Sequence, residues 1–266
     1  MEDEILRHIA PVCPWRDTLH WFDTVDSTNT RAKALARDGA PHGTVLIAGS
    51  QTGGRGRLGR SFSSPTGLGV YLSVILRPGC APDALMHLTC AAAVAACKAV
   101  ENAANLCPQI KWTNDLVCEK KKLGGILTEL SVDGKTGLID WAIVGIGINC
   151  LQKPEDFPAQ LRDMAVSVRQ LTSAPCSPAR LAAALTEALF QMDAGLLSAK
   201  KQLMDDYRKR CMTLGKQIVI LQGDTVRHAT ALDLDENGGL LVRYDDGQCQ
   251  TVCSGEVSIR GMYGYL

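Results

Sequence analysis

GGRGRLGRSF, residues 53–62, sets Arg55, Arg57 and Arg60 among Gly53, Gly54, Gly56 and Gly59. It formally contains the dinucleotide fingerprint G-x-G-x-x-G at Gly54, Gly56 and Gly59. A Rossmann turn must feed a helix whose first amides hold a pyrophosphate. Here the chain runs instead through SFSSPTG (61–67), rich in breakers, into LGVYLSVIL (68–76), where Val70, Leu72 and Val74 alternate with Tyr71, Ser73 and Ile75 in the period of a strand. A Walker loop fails as well, because no G-K-[ST] closes the stretch. What remains is a glycine-rich turn between strands. Its glycines let backbone approach a ligand closely, and its guanidinium forks suit the oxygens of a phosphate or carboxylate.

Outward from this loop the pattern is α+β. Upstream lie a strand at LHWFDTV (19–25), a helix opening after DSTN with Asp26 or Ser27 as cap, a turn at GAPHG (39–43) and a strand at TVLIAGSQT (44–52). Downstream, an Ala-rich helix is predicted from Pro82 to Asn105. Strands follow at QIKW (109–112), DLVC (115–118), KLGGILTEL (122–130) and GLIDWAIVGIGINC (137–150), with a hairpin turn at DGKTG (133–137). Such a succession predicts a mixed, mostly antiparallel sheet flanked by helices. Residues 177–213 read as one helix, capped by Ser177 with Pro178 in its first turn and ended by Gly215. Five short strands then crowd into the last 50 or so residues, the signature of a small SH3-like β-barrel. The boundary is placed there, giving domains 1–214 and 215–266.

Composition narrows the function classes. The 266 residues suffice for one sizeable core and a small second domain. Lys and Arg number 28 and Asp and Glu 28, so no global field draws the chain to nucleic acid or an anionic membrane, and anion recognition must be local. The N-terminal MEDEILRHIA is acidic and reads as neither signal nor anchor, and no stretch approaches the roughly 20 apolar residues of a membrane span. The 11 cysteines lack any C-x-x-C pairing and read as reduced, structural thiols of a cytoplasmic protein, with no metal site.

Two further motifs could carry chemistry. KWTND (111–115) and KKLGGIL (121–127) place Lys111, Asn114, Asp115, Lys121 and Lys122 around a turn between strands. Lysine runs are ordinarily solvated, and Lys120 and Lys121 are read that way. Lys122 differs because it abuts Leu123 and the pair Gly124–Gly125, where a ligand can lie against the backbone. GIGIN (145–149) has glycines inside an apolar strand, which fits either a tight sheet crossing or a ligand floor.

DSTN, SQTGGRGRLGR, KWTND, KKLGGIL and GIGIN, in this order and at these intervals across residues 26–149, resemble the biotin protein ligases. The resemblance implies a class II synthetase-like sheet and a C-terminal barrel. It implies that Ser27, Thr28 and Gln51 meet biotin, that Asn29 is a further binding residue, and that the loop of Gly54, Arg55, Gly56, Arg57 and Arg60 closes over biotin and its adenylate. Lys122 falls near the biotin carboxylate and the α-phosphate. Asn114, Asp115 and Asn149 fall in the nucleotide site, and Gly125 is a further binding residue. The implied substrates are ATP and biotin, with Mg2+ carried mainly by ATP, and the implied partner is a biotin carboxyl carrier domain. Lys122, Arg55 and Arg57 are then the catalytic cations. The loop is expected to be mobile until biotin binds.

Departures from the family pattern are specific. Thr113 stands where many members have Pro, and Phe62 where many have Trp. Some members carry an N-terminal helix-turn-helix; here the ligase pattern starts by about residue 19, so no DNA partner is expected. The oligomeric state is left open between monomer and weak dimer. Rival readings are a lipoate or octanoate ligase, whose apolar acyl chain would not need the polar groups of Ser27, Thr28 and Gln51, and a biotin-binding regulator without catalysis.

Overall fold

The computed structural model describes residues 1–173, 175–222, 225–253 and 258–261, the last four as backbone. Glu256 and Val257 of the expected last strand lie outside them.

A seven-stranded sheet forms the body. In chain order the elements are α1 (Glu2–His8), β1 (Leu19–Val25), α2 (Thr28–Arg37), β2 (Thr44–Gln51), β3 (Gly69–Leu76), α3 (Leu88–Ala104), β4 (Gln109–Lys111), β5 (Asp115–Cys118), β6 (Lys121–Val132) and β7 (Ile139–Asn149). The sheet order is β1-β2-β3-β7-β6-β5-β4, with β1 and β2 parallel and every other pair antiparallel. β3 is buried at every position because it is central and covered on both faces, which is why its sequence is nearly all apolar. Its alternation holds: Val70, Leu72, Val74 and Leu76 join the main core, while Ile75 joins a smaller cluster with Ala32 and Ala36 of α2.

The main core lies between the sheet and α3, packed with α5 (Pro178–Gly195); the short α4 (Val168–Leu171) precedes α5 and α6 (Lys200–Arg210) follows it. α3 is preceded by a 3-10 turn at Pro82–Leu85 and ends where Asn105 turns left-handed at φ 54°. The span Pro82–Ala104 is in fact long and apolar enough to cross a membrane by length and composition, contrary to the sequence expectation. Most of it is buried inside the protein, as a central core helix. Ser177 caps α5 as expected, accepting from the Arg180 amide at 3.1 Å.

The single helix expected over 177–213 is two. α5 stops at Gly195 and α6 begins at Lys200, and the break turns α6 onto α3 and β4. At the break the Leu196 carbonyl bonds the buried His87 ring at 2.8 Å, so a tertiary partner replaces the lost helical one.

The last strands, β8 (Gln217–Gln222), β9 (Thr225–Leu234), β10 (Leu240–Tyr244), β11 (Cys249–Val252) and β12 (Ser258–Gly261), form a five-stranded antiparallel sheet in the order β11-β10-β9-β8-β12. Its β9–β10 turn docks on the body. Gly238, at φ +86°, lies so close to Cys90 of α3 that a Cβ would sit 2.6 Å from the thiol, and its carbonyl accepts from the Trp112 indole at 2.9 Å.

Candidate active site

On the α2 side of β7, Trp141 and Ile143 are covered by the helix, but the next residues in the same alternation, Gly145, Gly147 and Asn149, line a cavity of about 730 Å3. The two glycines are a close-approach device. A Cβ at Gly145 would collide with the Asn29 amide, and one at Gly147 would lie 2.5 Å from the Phe62 ring. GIGIN therefore admits two side chains that reach down onto the strand.

The arginine loop spans this cavity as a tight hairpin. The Gly56 amide donates to the Arg60 carbonyl at 2.7 Å and the Phe62 amide to the Gly54 carbonyl at 2.9 Å, while Leu58 (φ 54°) and Gly59 (φ 72°) turn the tip. No helix follows, as the failed Rossmann reading required. Arg55 reaches one wall, where Nη1 donates to Glu129 at 3.2 and 3.4 Å. Arg57 reaches the other, donating to Asn114 Oδ1 at 3.1 Å. Burial pulls the Arg57 guanidinium below its ordinary pKa and the Arg60 charge adds to this, against the opposing Asp115 carboxylate.

Lys122, at the start of β6, donates from Nζ to Asp115 Oδ1 at 2.6 Å. The ammonium lies over Gly125, where a Cβ would just touch Cε and Nζ of Lys122 at 3.4 Å. Behind it, the Lys122 amide donates to the Met164 carbonyl at 2.7 Å, and its carbonyl accepts from the Val166 amide at 2.9 Å. This pairing brings Phe157, Leu161, Met164 and Ala165 in as an apolar wall facing the cations.

The N-terminus of α2 supplies the polar end. Ser27 occupies the N-cap position but its hydroxyl does not cap; the first-turn amide of Thr28 donates instead to Gln51 Oε1 at 2.8 Å. The hydroxyl faces the cavity with no hydrogen-bond partner among the described residues. Gln51 is fixed from both ends, accepting from the Thr28 hydroxyl at 3.1 Å and donating to Ser64 at 2.8 Å.

Of the expected site residues, all but Gly54 line the cavity. Gly54 is instead a packing position: a Cβ there would run into the Phe62 carbonyl and lie 2.8 Å from the Ser64 hydroxyl. Several that do line it are bonded within the protein, Asn114 for one donating from Nδ2 to the Ile126 carbonyl at 2.9 Å. Asn29 accepts from Ser73 at 2.7 Å and donates to the Leu127 carbonyl and to Glu129, at 3.2 and 3.0 Å. Asn149 donates to the Val166 carbonyl at 3.0 Å and thereby ties β7 to the apolar wall. Thr113 is buried, and its carbonyl accepts from the Tyr207 hydroxyl at 3.1 Å, which ties the turn to α6.

Sequence reading missed Glu129 and the 157–165 wall. Glu129 shares a strand face with Gly125 and Leu127, and that period-2 signal could have found it. PEDFPAQLRDMA (154–165) has no period at all. Among the described residues no group of three His, Cys, Asp or Glu is placed to hold a metal ion.

Comparison with known proteins adds the following. Residues 21–149 match the biotin/lipoate A/B protein ligase family, and residues 213–260 match the biotin protein ligase C terminal domain. The chain is 43% identical over 152 residues to the bifunctional ligase/repressor BirA of Bacillus subtilis, a match covering 57% of this chain and 46% of that protein, so it spans about half the length of that relative. It is 32% identical over 237 residues to the biotin--[acetyl-CoA-carboxylase] ligase of Mycobacterium tuberculosis, covering 87% of this chain and 85% of that one. The solved biotin protein ligase from Aquifex aeolicus, in complex with biotin and ATP, superposes with a TM-score of 0.78 at 29% identity, over 92% of this chain and 99% of that one.

Proposed function

The chain belongs to the biotin protein ligase family, and from that premise we propose that it activates biotin with ATP as biotinyl-5'-AMP and passes the acyl group to a lysine of a biotin carboxyl carrier domain. The observation that carries this reading is a charge imbalance. Arg55, Arg57, Arg60, Lys111 and Lys122 line the cavity, with Asp115 the one carboxylate among the described lining residues and Glu129 beside Arg55 at its wall, in a chain of zero formal charge. Such a cavity suits a meeting of anions.

In the first step a carboxylate oxygen of biotin attacks the α-phosphorus, and the bond to the bridging oxygen of the β-phosphate breaks, releasing pyrophosphate. Arg55, Arg57 and Lys122 offset the repulsion between the two anions and the charge that develops on the phosphoryl oxygens. In the second step a neutral lysine amine attacks the acyl carbon, the acyl–oxygen bond breaks, the amine's surplus proton passes to solvent, and AMP leaves against the same cations. The uncapped Ser27 hydroxyl, with Thr28 and Gln51, offers hydrogen bonds to a polar ring, and the Phe157–Ala165 wall offers apolar surface. Mg2+ enters as cargo of the triphosphate rather than of a protein carboxylate cluster. The catalytic unit is 1–214 and the β unit 215–266, in a cytoplasmic monomer or weak dimer whose state sedimentation would read.

The deciding experiment is biotin-dependent exchange of labelled pyrophosphate into ATP. Lys122→Ala is expected to lower it by about 10²–10³-fold, the scale for removing one group that stabilises transition-state charge. Exchange that follows lipoate instead of biotin would move the chain to the other branch of the matched family, and biotin binding without exchange would make it a sensor.

A further inference from the structure

We propose that Glu129 is a positioning residue of this site, holding Arg55, and through it the arginine loop, in the posture that receives the anionic end of the substrates. The identity of that anion rests on the ligase reading.

Glu129 stands on β6, on the strand face that carries Gly125 and Leu127 into the cavity. Donors from two elements converge on its carboxylate. Lys33 of α2 donates to Oε1 at 2.7 Å, Asn29 of α2 donates to Oε2 at 3.0 Å, and Arg55 of the loop donates from Nη1 to both oxygens. Asn29 is itself anchored to the Leu127 carbonyl, so the carboxylate is fixed to sheet and helix together. Arg55 is the partner that can move far, since it sits on a hairpin, which is also held across the cavity by Arg57 on Asn114. The loop is a strap buckled at both walls, and Glu129 is one buckle.

The charge count gives the buckle a direction. Two cations share one carboxylate, so the cluster keeps a net positive charge facing a cavity that also holds Lys122. Only Nη1 of Arg55 is taken by Glu129, and the fork has further donors for an incoming oxyanion. A neutral amide at 129 would leave Lys33 and Arg55 facing each other without a counter-charge, which drives the mobile partner away. A purely structural Glu129 would instead serve the Lys33 pair and be indifferent to Arg55.

A double-mutant cycle separates the two roles, with Glu129→Gln, Arg55→Ala and their combination made in the full chain. One readout is the rate of tryptic cleavage after Arg57 and Arg60 without substrates; the other is the KM for biotin and kcat in pyrophosphate exchange. Glu129→Gln is expected to speed cleavage several-fold and to raise the KM about tenfold with a smaller fall in kcat, since binding must now also order the loop. In the Arg55→Ala background the same change should add nothing to either readout, and Glu129→Asp should restore part of the loss. Effects of full size in that background, or a fall in kcat with cleavage and KM unchanged, would overturn the proposal. If Glu129→Gln does not fold, the cycle is run with Glu129→Asp, whose shorter side chain keeps the charge but loosens its hold on Arg55, with smaller effects of the same sign expected and again none in the Arg55→Ala background. Wild-type protein with no biotin-dependent exchange would refute the ligase reading alone, and cleavage rates would still decide for or against the buckle.

Discussion

At the scale of single residues, the site is shaped by atoms left out. Gly147 leaves room for the Phe62 ring to approach β7 closely, where the ring also meets Tyr71 edge-on at 6.4 Å between centroids. Gly147→Ala is expected to cost about 1–3 kcal/mol by overpacking, read by urea unfolding, and most of that loss should vanish when Phe62→Ala is added. Glu129 supplies a pH prediction. Burial raises its pKa, but the hydrogen bonds from Lys33 and Asn29 and the charges of Lys33 and Arg55 together outweigh it and leave the pKa below the usual glutamate value of 4.5. A depressed folded-state pKa stabilises above the unfolded value and is lost as pH falls through the folded one. Tryptic nicking is unsuited to acid, so the check is thermal stability. Its decline below about pH 4.5 should be shallower in Glu129→Gln than in the wild type. The arginines and Lys122 were legible because their setting among glycines is local. Glu129 was passed over because a lone acid in a strand gains meaning only when it is set in period with Gly125 and Leu127 on the face those residues turn to the cavity.

At the scale of elements, the strands were legible from their period and the breaks were not. Gly-Leu-Leu-Ser-Ala-Lys (195–200) continues an apolar helical pattern, and only the docking of α6 on α3 and β4 ends α5 at Gly195. The 153–167 segment was illegible for the opposite reason: its place is set by pairing with Lys122, a long-range partner. The β9–β10 turn is the element that joins the small sheet to the site, since its Gly238 carbonyl holds the indole of the cavity residue Trp112. Gly238→Ala would force a side chain into left-handed backbone, costing about 1–2 kcal/mol, and into the Cys90 thiol, costing about as much again. In urea unfolding, adding Cys90→Ala should recover the second part and leave the first. Equal recovery of both, or of neither, would show that the contact and the backbone are not separate causes.

At the scale of the whole molecule, equal numbers of acids and bases conceal an uneven distribution: the cavity is basic and the remainder of the chain must be acidic to compensate. Cations sunk in a cavity cannot follow a duplex backbone. A gel shift should therefore show no sequence-specific, salt-dependent DNA complex, and a steep salt slope would contradict that. The helix α3 has a different consequence, one that concerns the chain before it is folded. As the most apolar helix it needs α5 to cover it, yet α5 is complete only some ninety residues later, at Gly195 against Ala104. At a synthesis rate of about 5–20 residues per second, the ribosome leaves a segment with the length and composition of a membrane span uncovered for roughly 5–20 s. The helix that anchors the finished core is thus expected to be open to chaperones while α5 is still being made, with capture on stalled ribosomes as the check.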